Sequence, residues 1–448
     1  MSELSRPDFD AIQLPAGKTP FLHLCWLLHN KCNHKCSYCA EINWGGNFEN
    51  LSLEACKNFV QQARDHFHDR KLMVSFTGGE PTLWPNFGEL VRWLKEDVNA
   101  VVMMTSNGTR HISYFKEIAK YFDWISFSYH PEFTRDEKFF ENVIACSAST
   151  NLTVRVMFPP NPALFAKSKS FLDRLVQKQE QGEIPGFVKV ESVPIAVGFG
   201  TEFTSPAKYN DEQDKVLFNS IREFNTEKLA VEAMPISQLR AYRTDHPDQE
   251  NWFEPNELIA REKTNFYGWK CDIGIEQLFI DHLGQVVRAG CRVGGEIGYL
   301  SKGVFRFPTK AVYCPKQYCH CITDILTTKR SPEWLAKIEN ESMSIGDRAV
   351  TYLNSIRYDW MTQITRIERE GTNDISDMTL SATGKLMNFA PMVLYRTWYF
   401  ILRVFIYTRV WTMRFLIRVF YARVFWKPYF FIRYQYRKRI LKLDKPEA

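Results

Sequence analysis

Cys32, Cys36 and Cys39 fall in the run Cys32-Asn33-His34-Lys35-Cys36-Ser37-Tyr38-Cys39. Three thiolates at C-x3-C-x2-C spacing can wrap one side of an iron–sulfur cube. They leave one iron open to a ligand that is not cysteine. An open iron is a place for chemistry. The competing reading is a zinc ion, with His29 or His34 as the fourth ligand. Tyr38, next to Cys39, puts beside the site an aromatic ring that can stack on a purine.

Further polar groups follow at intervals. Thr77-Gly78-Gly79-Glu80-Pro81 closes one apolar run, and paired glycines let backbone approach a neighbour without Cβ obstruction. Ser106-Asn107-Gly108 closes the next. Ser126 and Ser128 precede Tyr129-His130-Pro131, and Arg155 stands between Val154 and Val156. Ser128 as a strand cap and Arg155 as a surface charge are the plainer alternatives. His130, Glu132 and Asp281 are nearby polar residues without an assigned role.

The elements that must position these groups alternate. Strand-like runs cover Phe21–Leu28, Leu72–Thr77, Val101–Thr105, Trp124–Ser128, Thr153–Phe158 and Val188–Val193. Helical patterns lie between them: from an N-cap at Ser52 to about His68, from Pro85 to near Val98, and over Ile112–Tyr121, Asp136–Ser149 and Pro162–Gln181. The reading is an α/β fold with a partial (β/α)6 TIM-like barrel, whose strand C-terminal ends gather the polar groups at one face.

A second group, Cys271, Cys291, Cys314, Cys319 and Cys321, lies among glycine-rich short strands such as Gln277–Asp281 and Val286–Arg288. Five cysteines can supply one four-ligand cluster and leave one over, and which four is open. A zinc ribbon is the alternative. Cys25, Cys56 and Cys146 lie in apolar patterns and read as core.

Together these motifs resemble the radical SAM superfamily over roughly residues 21–200: C-x3-C-x2-C, the aromatic Tyr38 before its last cysteine, then Gly78-Gly79-Glu80-Pro81 after the next strand. The resemblance implies that Cys32, Cys36 and Cys39 hold a [4Fe–4S] cluster whose open iron chelates S-adenosylmethionine. By the same likeness Gly78, Gly79 and Glu80 take its methionine amino group. Ser128 and Arg155 match positions for its carboxylate or ribose, and Asn107 lies near the ribose. Electron transfer would yield a 5′-deoxyadenosyl radical that abstracts a substrate hydrogen. A flavodoxin or ferredoxin would supply the electron. His130-Pro131 stands where relatives often have Asp-Gly.

Cys271-x12-Gly284-x6-Cys291 is similar to the opening of a SPASM module, and Cys314-x4-Cys319-x-Cys321 departs from its full pattern. A shortened, twitch-like module with one auxiliary cluster is the expectation. Its relatives often modify peptides, so a peptide is the first substrate class, with a lipid- or glycan-linked metabolite beside it. A tRNA-modifying enzyme and a non-enzymatic zinc-bound interaction module are the alternatives.

The 448 residues are 45% hydrophobic and 15% aromatic, enough for a sizeable core. The start of the chain lacks an apolar signal region, so a reducing cytoplasm is the default, where clustered cysteines read as metal ligands. The expected divisions are an N-terminal extension 1–20, the partial barrel 21–209, a helical connection 210–267, the cysteine-rich β module 268–325, a helical region and linker 326–388, and a basic aromatic tail 389–448. Net charge is +6, but 13 Lys/Arg against Asp444 and Glu447 fall in that tail. Arg396, Arg403, Arg414 and Arg418 lie within about 60° on a helical wheel. An amphipathic helix on an anionic membrane surface is the first reading of the tail, which would place the protein on the inner face. Packing on the enzyme body and RNA binding follow.

Overall fold

In the computed structural model, residues 6–355 are described apart from 14–20, 40–43, 50, 187, 196–208, 224–238, 254 and 320. The basic aromatic tail, and all of 356–388, lie outside the described residues.

After a short strand β1 (Ala11–Gln13), strands and helices alternate: β2 (Phe21–Leu27), α1 (Leu53–His66), β3 (Lys71–Thr77), α2 (Phe87–Glu96), β4 (Val101–Ser106), α3 (Ile112–Ile118), β5 (Trp124–Tyr129), α4 (Asp136–Ser147), β6 (Asn151–Phe158), α5 (Pro162–Glu180) and β7 (Val188–Pro194). All six expected strands are present, with small shifts at their ends. Ser52 opens α1: its Oγ accepts from Ala55 N at 3.4 Å and satisfies an orphan amide of the first turn. Cys56, Phe59, Val60 and Ala63 then recur on one buried face. That face packs on Leu22, Leu24 and Trp26 of β2 and Leu72, Val74 and Phe76 of β3 in the main core. Residues between these point to the opposite side of the sheet, where His23 Nε2 meets Ser75 Oγ at 2.7 Å.

Strands β2 to β7 pair in sequence order, all parallel. The sheet is not closed, and β7 forms one edge. Past it come α6 (Asp211–Glu223), an antiparallel pair β8 (Leu239–Arg243) and β9 (His246–Phe253), and α7 (Pro255–Ala260). The span 210–267, expected as a helical connection, therefore carries a hairpin between helices. Leu239 and Ala241 are buried and Arg240 between them is not, which is the period of a strand.

The remaining elements are β10 (Lys270–Cys271), β11 (Gln277–Ile280), β12 (Gln285–Val287), β13 (Glu296–Tyr299), β14 (Val304–Phe305), β15 (Val312–Tyr313), α8 (Ile322–Ile325), β16 (Lys329–Arg330) and α9 (Pro332–Lys337). β11 lies parallel to β2, and β12, β13 and β14 continue from it antiparallel, giving a ten-stranded sheet. A six-stranded sheet follows the order β15-β10-β16-β1-β8-β9. Residues 268–325 thus divide between the two sheets, and β1, from the expected N-terminal extension, lies between β16 and β8. A second core joins Met73, Met103 and Trp124 of the main sheet to Phe9, Ile12, Phe266, Trp269 and Cys319. Among the described residues no helix is long and apolar enough to cross a membrane.

Candidate functional site

The first cysteine loop leaves the C-terminal end of β2 and is held at its base. Gly46 N donates to Asn30 O at 3.0 Å, and Lys31 bridges Gly45. Gly79 N donates to His29 O and Glu80 N to Lys31 O, each at 2.8 Å. A Cβ at Gly78, whose φ is +123°, would meet His29 O at 2.5 Å; one at Gly79 would meet Lys31 O at 2.1 Å. Glycine is needed because backbone lies on backbone. The neighbour that requires the pair is the entrance of the cysteine loop.

Glu80 is 1% exposed. Its Oε1 accepts from Thr82 N at 3.2 Å, Thr82 Oγ1 at 2.6 Å and Ser106 Oγ at 2.9 Å; its Oε2 accepts from Asn107 N at 2.7 Å. Burial pushes its carboxyl up, and those donors work the other way. The side chain ties the ends of β3 and β4 together. Asn107 Nδ2 donates to Asn33 Oδ1 at 2.8 Å and lies 3.8 Å from Cys32 Sγ, which also accepts from His34 N at 3.3 Å.

Cys39 N donates to Cys36 O at 3.0 Å, so the last two cysteines bracket a turn. Cys36 is buried, Cys32 half-buried and Cys39 exposed. Burial pushes the Cys36 thiol up to about 12, so a thiolate there calls for a cationic partner such as iron. Ser37 donates from both N, at 2.8 Å, and Oγ to the Glu132 carboxylate. Tyr38 Oη lies 2.8 Å from His130 Nδ1, and the two rings stack. His34 stacks on Phe133. Lys167 Nζ, from α5, donates to Pro131 O at 2.6 Å and so holds this anchoring turn. Burial, with His34 close by, lowers His130 to about 3. His130 and Glu132 are thus loop anchors. No local signal marks them, because their partners lie on a distant segment.

Further round the sheet Ser128 is buried and stands opposite Arg155, which stands opposite Glu191. Arg155 Nε lies 2.8 Å from Glu191 Oε2 and Lys189 Nζ 2.9 Å from Oε1. Burial alone would raise the Glu191 carboxyl; Arg155 and Lys189 outweigh it and hold it at about 2. Asp281 Oδ1 accepts from Leu283 N at 3.0 Å and Gln285 N at 2.9 Å, which makes it a turn-former between β11 and β12.

The later cysteines frame a second place. Cys271, Cys291, Cys314 and Cys319 line one cavity, together with Lys316, Asp324 and Lys329. Cys321 is not in that lining: its Sγ lies 3.0 Å from Thr323 Oγ1, which reaches toward Cys25 Sγ at 3.7 Å. Asp324 Oδ2 accepts from Cys291 N at 2.7 Å and Oδ1 from Gln277 Nε2 at 2.7 Å, which fixes the Cys291 backbone at the wall. Burial pushes the Cys271 thiol up to about 12. Among the described residues no three Cys, His, Asp or Glu side chains converge to single-ion geometry. All four cysteines line one cavity.

A cysteine loop and a Gly-Gly-Glu-Pro turn at neighbouring strand ends of a parallel α/β sheet define a class of cofactor-dependent domain. The family model described as the Radical SAM superfamily matches residues 26–130, the stretch that carries both features. This stretch thus matches a radical SAM domain, a family whose members carry a [4Fe–4S] cluster and bind S-adenosylmethionine. No curated protein matches the chain. Among solved structures, Streptococcus suis SuiB is similar at 17% identity and TM-score 0.38, over 60% of this chain and 60% of SuiB. The chain therefore spans less than two thirds of that protein. SuiB bound to S-adenosylmethionine gives 17% identity and TM-score 0.39, over 62% of each chain. Native anSMEcpe with bound AdoMet gives 14% identity and TM-score 0.41, over 78% of this chain and 98% of that one.

Proposed function

We propose that this protein is a radical SAM enzyme with two iron–sulfur centres, one in the Cys32–Cys39 loop and one in the Cys271–Cys319 cavity. The observation that carries the first assignment is the match over residues 26–130 together with the anchoring of that loop on Gly79 and Glu80. The donor set fits: three thiols on one loop leave one iron of a cubane cluster for a ligand that is not cysteine. Bound there, the cluster and S-adenosylmethionine supply one-electron cleavage of the sulfonium and abstraction of a substrate hydrogen. The chain's own groups orient and enclose. The Gly78–Gly79–Glu80 turn holds the methionine end, Tyr38 and Asn107 border the nucleoside end, and Ser128 and Arg155 bind the carboxylate or ribose. Glu191 fixes the Arg155 side chain for that task.

The second centre uses Cys271, Cys291, Cys314 and Cys319, the four thiols of the cavity, and leaves Cys321 out. Four thiols lining one cavity can supply the four ligands of a multi-iron cluster. The first substrate class is a peptide, modified after hydrogen abstraction; a flavodoxin- or ferredoxin-type donor supplies the electron.

The test is anaerobic. Reconstituted wild type, given a reductant and S-adenosylmethionine, forms 5′-deoxyadenosine, and Cys36→Ala abolishes it. A zinc-loaded protein with no cleavage, or cleavage retained in Cys36→Ala, overturns the reading. Hydrogen exchange between deuterated 5′-deoxyadenosine and a candidate molecule identifies the substrate.

A further inference from the structure

Lys329 is a lysine in the interior, 1% exposed. Its Nζ donates to Thr327 O at 2.9 Å, to Ile325 O at 3.1 Å and to Asp324 O. Three carbonyls take up three N–H bonds, which only the ammonium form has. The same Nζ lies 5.2 Å from the centre of the Phe266 ring, a second feature that favours a cation. β10 pairs antiparallel with β16 so that Lys329 stands directly opposite Cys271. Directly opposed residues leave the same face of a sheet, and Lys329 accordingly lines the same cavity as the four cysteines.

What the ammonium lacks is a direct ion pair, although Asp324 attracts it from a distance. Among the described residues no carboxylate lies within ion-pair distance of it. The nearest acid on the cavity wall, Asp324, turns its oxygens to Gln277 Nε2, Gly290 N and Cys291 N. A buried charge without a partner is costly, and proteins keep one where something compensates it. Four thiolates around an iron–sulfur core carry net negative charge, which grows by one unit on reduction.

We propose that Lys329 is the electrostatic complement of a cluster in the Cys271–Cys291–Cys314–Cys319 cavity and favours its reduced state. This rests on the reading that the cavity holds such a cluster. The redox step is simple in its balance: one electron arrives from an external low-potential donor, no proton moves and no bond forms. The fixed positive charge raises the reduction potential relative to a neutral residue in the same place.

The experiment isolates the second centre. In full-length protein carrying Cys32→Ala, Cys36→Ala and Cys39→Ala, reconstituted anaerobically, iron is counted and the cluster is titrated potentiometrically with EPR detection. Lys329→Met and Lys329→Arg are compared in this background, with circular dichroism to check folding. Lys329→Met is expected to shift the ratio of oxidised to reduced cluster at least tenfold toward oxidised at a fixed potential. That is a midpoint about 59 mV more negative for a one-electron couple. Lys329→Arg stays near the parent. A folded Lys329→Met that fails to retain the iron, where Lys329→Arg retains it, also supports the charge role. An unmoved midpoint in Lys329→Met, or equal loss or equal shift in both variants, overturns it. Failure of the underlying cluster reading looks different: the parent triple variant binds no iron at all.

Discussion

Replacing Glu191 by Gln removes the carboxylate that Arg155 and Lys189 share, while leaving size and hydrogen-bonding capacity almost unchanged. In the folded protein that carboxyl lies at about 2, against an ordinary 4.5. At about 1.4 kcal/mol per pH unit, the difference corresponds to about 3 kcal/mol of stabilisation by the ionised form. The group is buried, so solvent screening takes away little of this. The sign follows from the direction. A carboxyl depressed on folding contributes in full above the unfolded value near 4.5, and loses that contribution as pH falls through the folded value of about 2. Denaturant unfolding at pH 7 is therefore expected to show Glu191→Gln less stable by about 3 kcal/mol. The gap narrows below pH 4.5 and largely closes near pH 2. A gap that is independent of pH over this window, or under about 0.5 kcal/mol at pH 7, would refute the account of the triad. On the role proposed for Arg155, Glu191→Gln is also expected to weaken S-adenosylmethionine binding, and unchanged binding would count against that role.

Two further changes test the cysteine sites. Cys319→Ala is expected to remove about four irons per chain while Cys321→Ala leaves iron content unchanged; the reverse pattern would reassign the ligands. Gly79→Ala introduces a Cβ that would lie 2.1 Å from Lys31 O, so the base of the cysteine loop must move. A stability loss of about 2 kcal/mol or more, together with faster release of iron from the first centre, is expected; a variant that keeps both at wild-type level contradicts the role given to the glycine pair.

The parallel strands were legible because each has a period-two apolar face and each helix a 3.6-residue stripe. Leu22-Leu24-Trp26 and Cys56-Phe59-Val60-Ala63 are examples of the two patterns. Cysteine spacing made the first loop legible for a different reason: its three thiols are local in sequence. The six-stranded sheet was not legible. Its strands are short, β10, β15 and β16 being two residues each, and they come from both ends of the described chain. No window of sequence contains enough of that sheet to show a period. The hairpin at Leu239–Phe253 has polar residues through much of its second strand, which masks the alternation.

The same division runs through the site. The sequence by itself determined which atoms could meet iron in the first loop, since eight consecutive residues carry all three thiols and the Gly-Gly-Glu-Pro turn follows the next strand. It also determined that a second group of thiols exists. Only the tertiary structure decided how those groups are held. Glu132 reaches back to Ser37, Glu80 spans from β3 to β4, and Glu191 clamps Arg155 across a strand pair. Only the fold separated Cys321 from the four cysteines of the cavity and set Lys329 opposite Cys271. The physical reason is that buried charge must be compensated in three dimensions. The compensating groups here come from whichever strands the sheets bring side by side, at sequence separations that no spacing rule encodes.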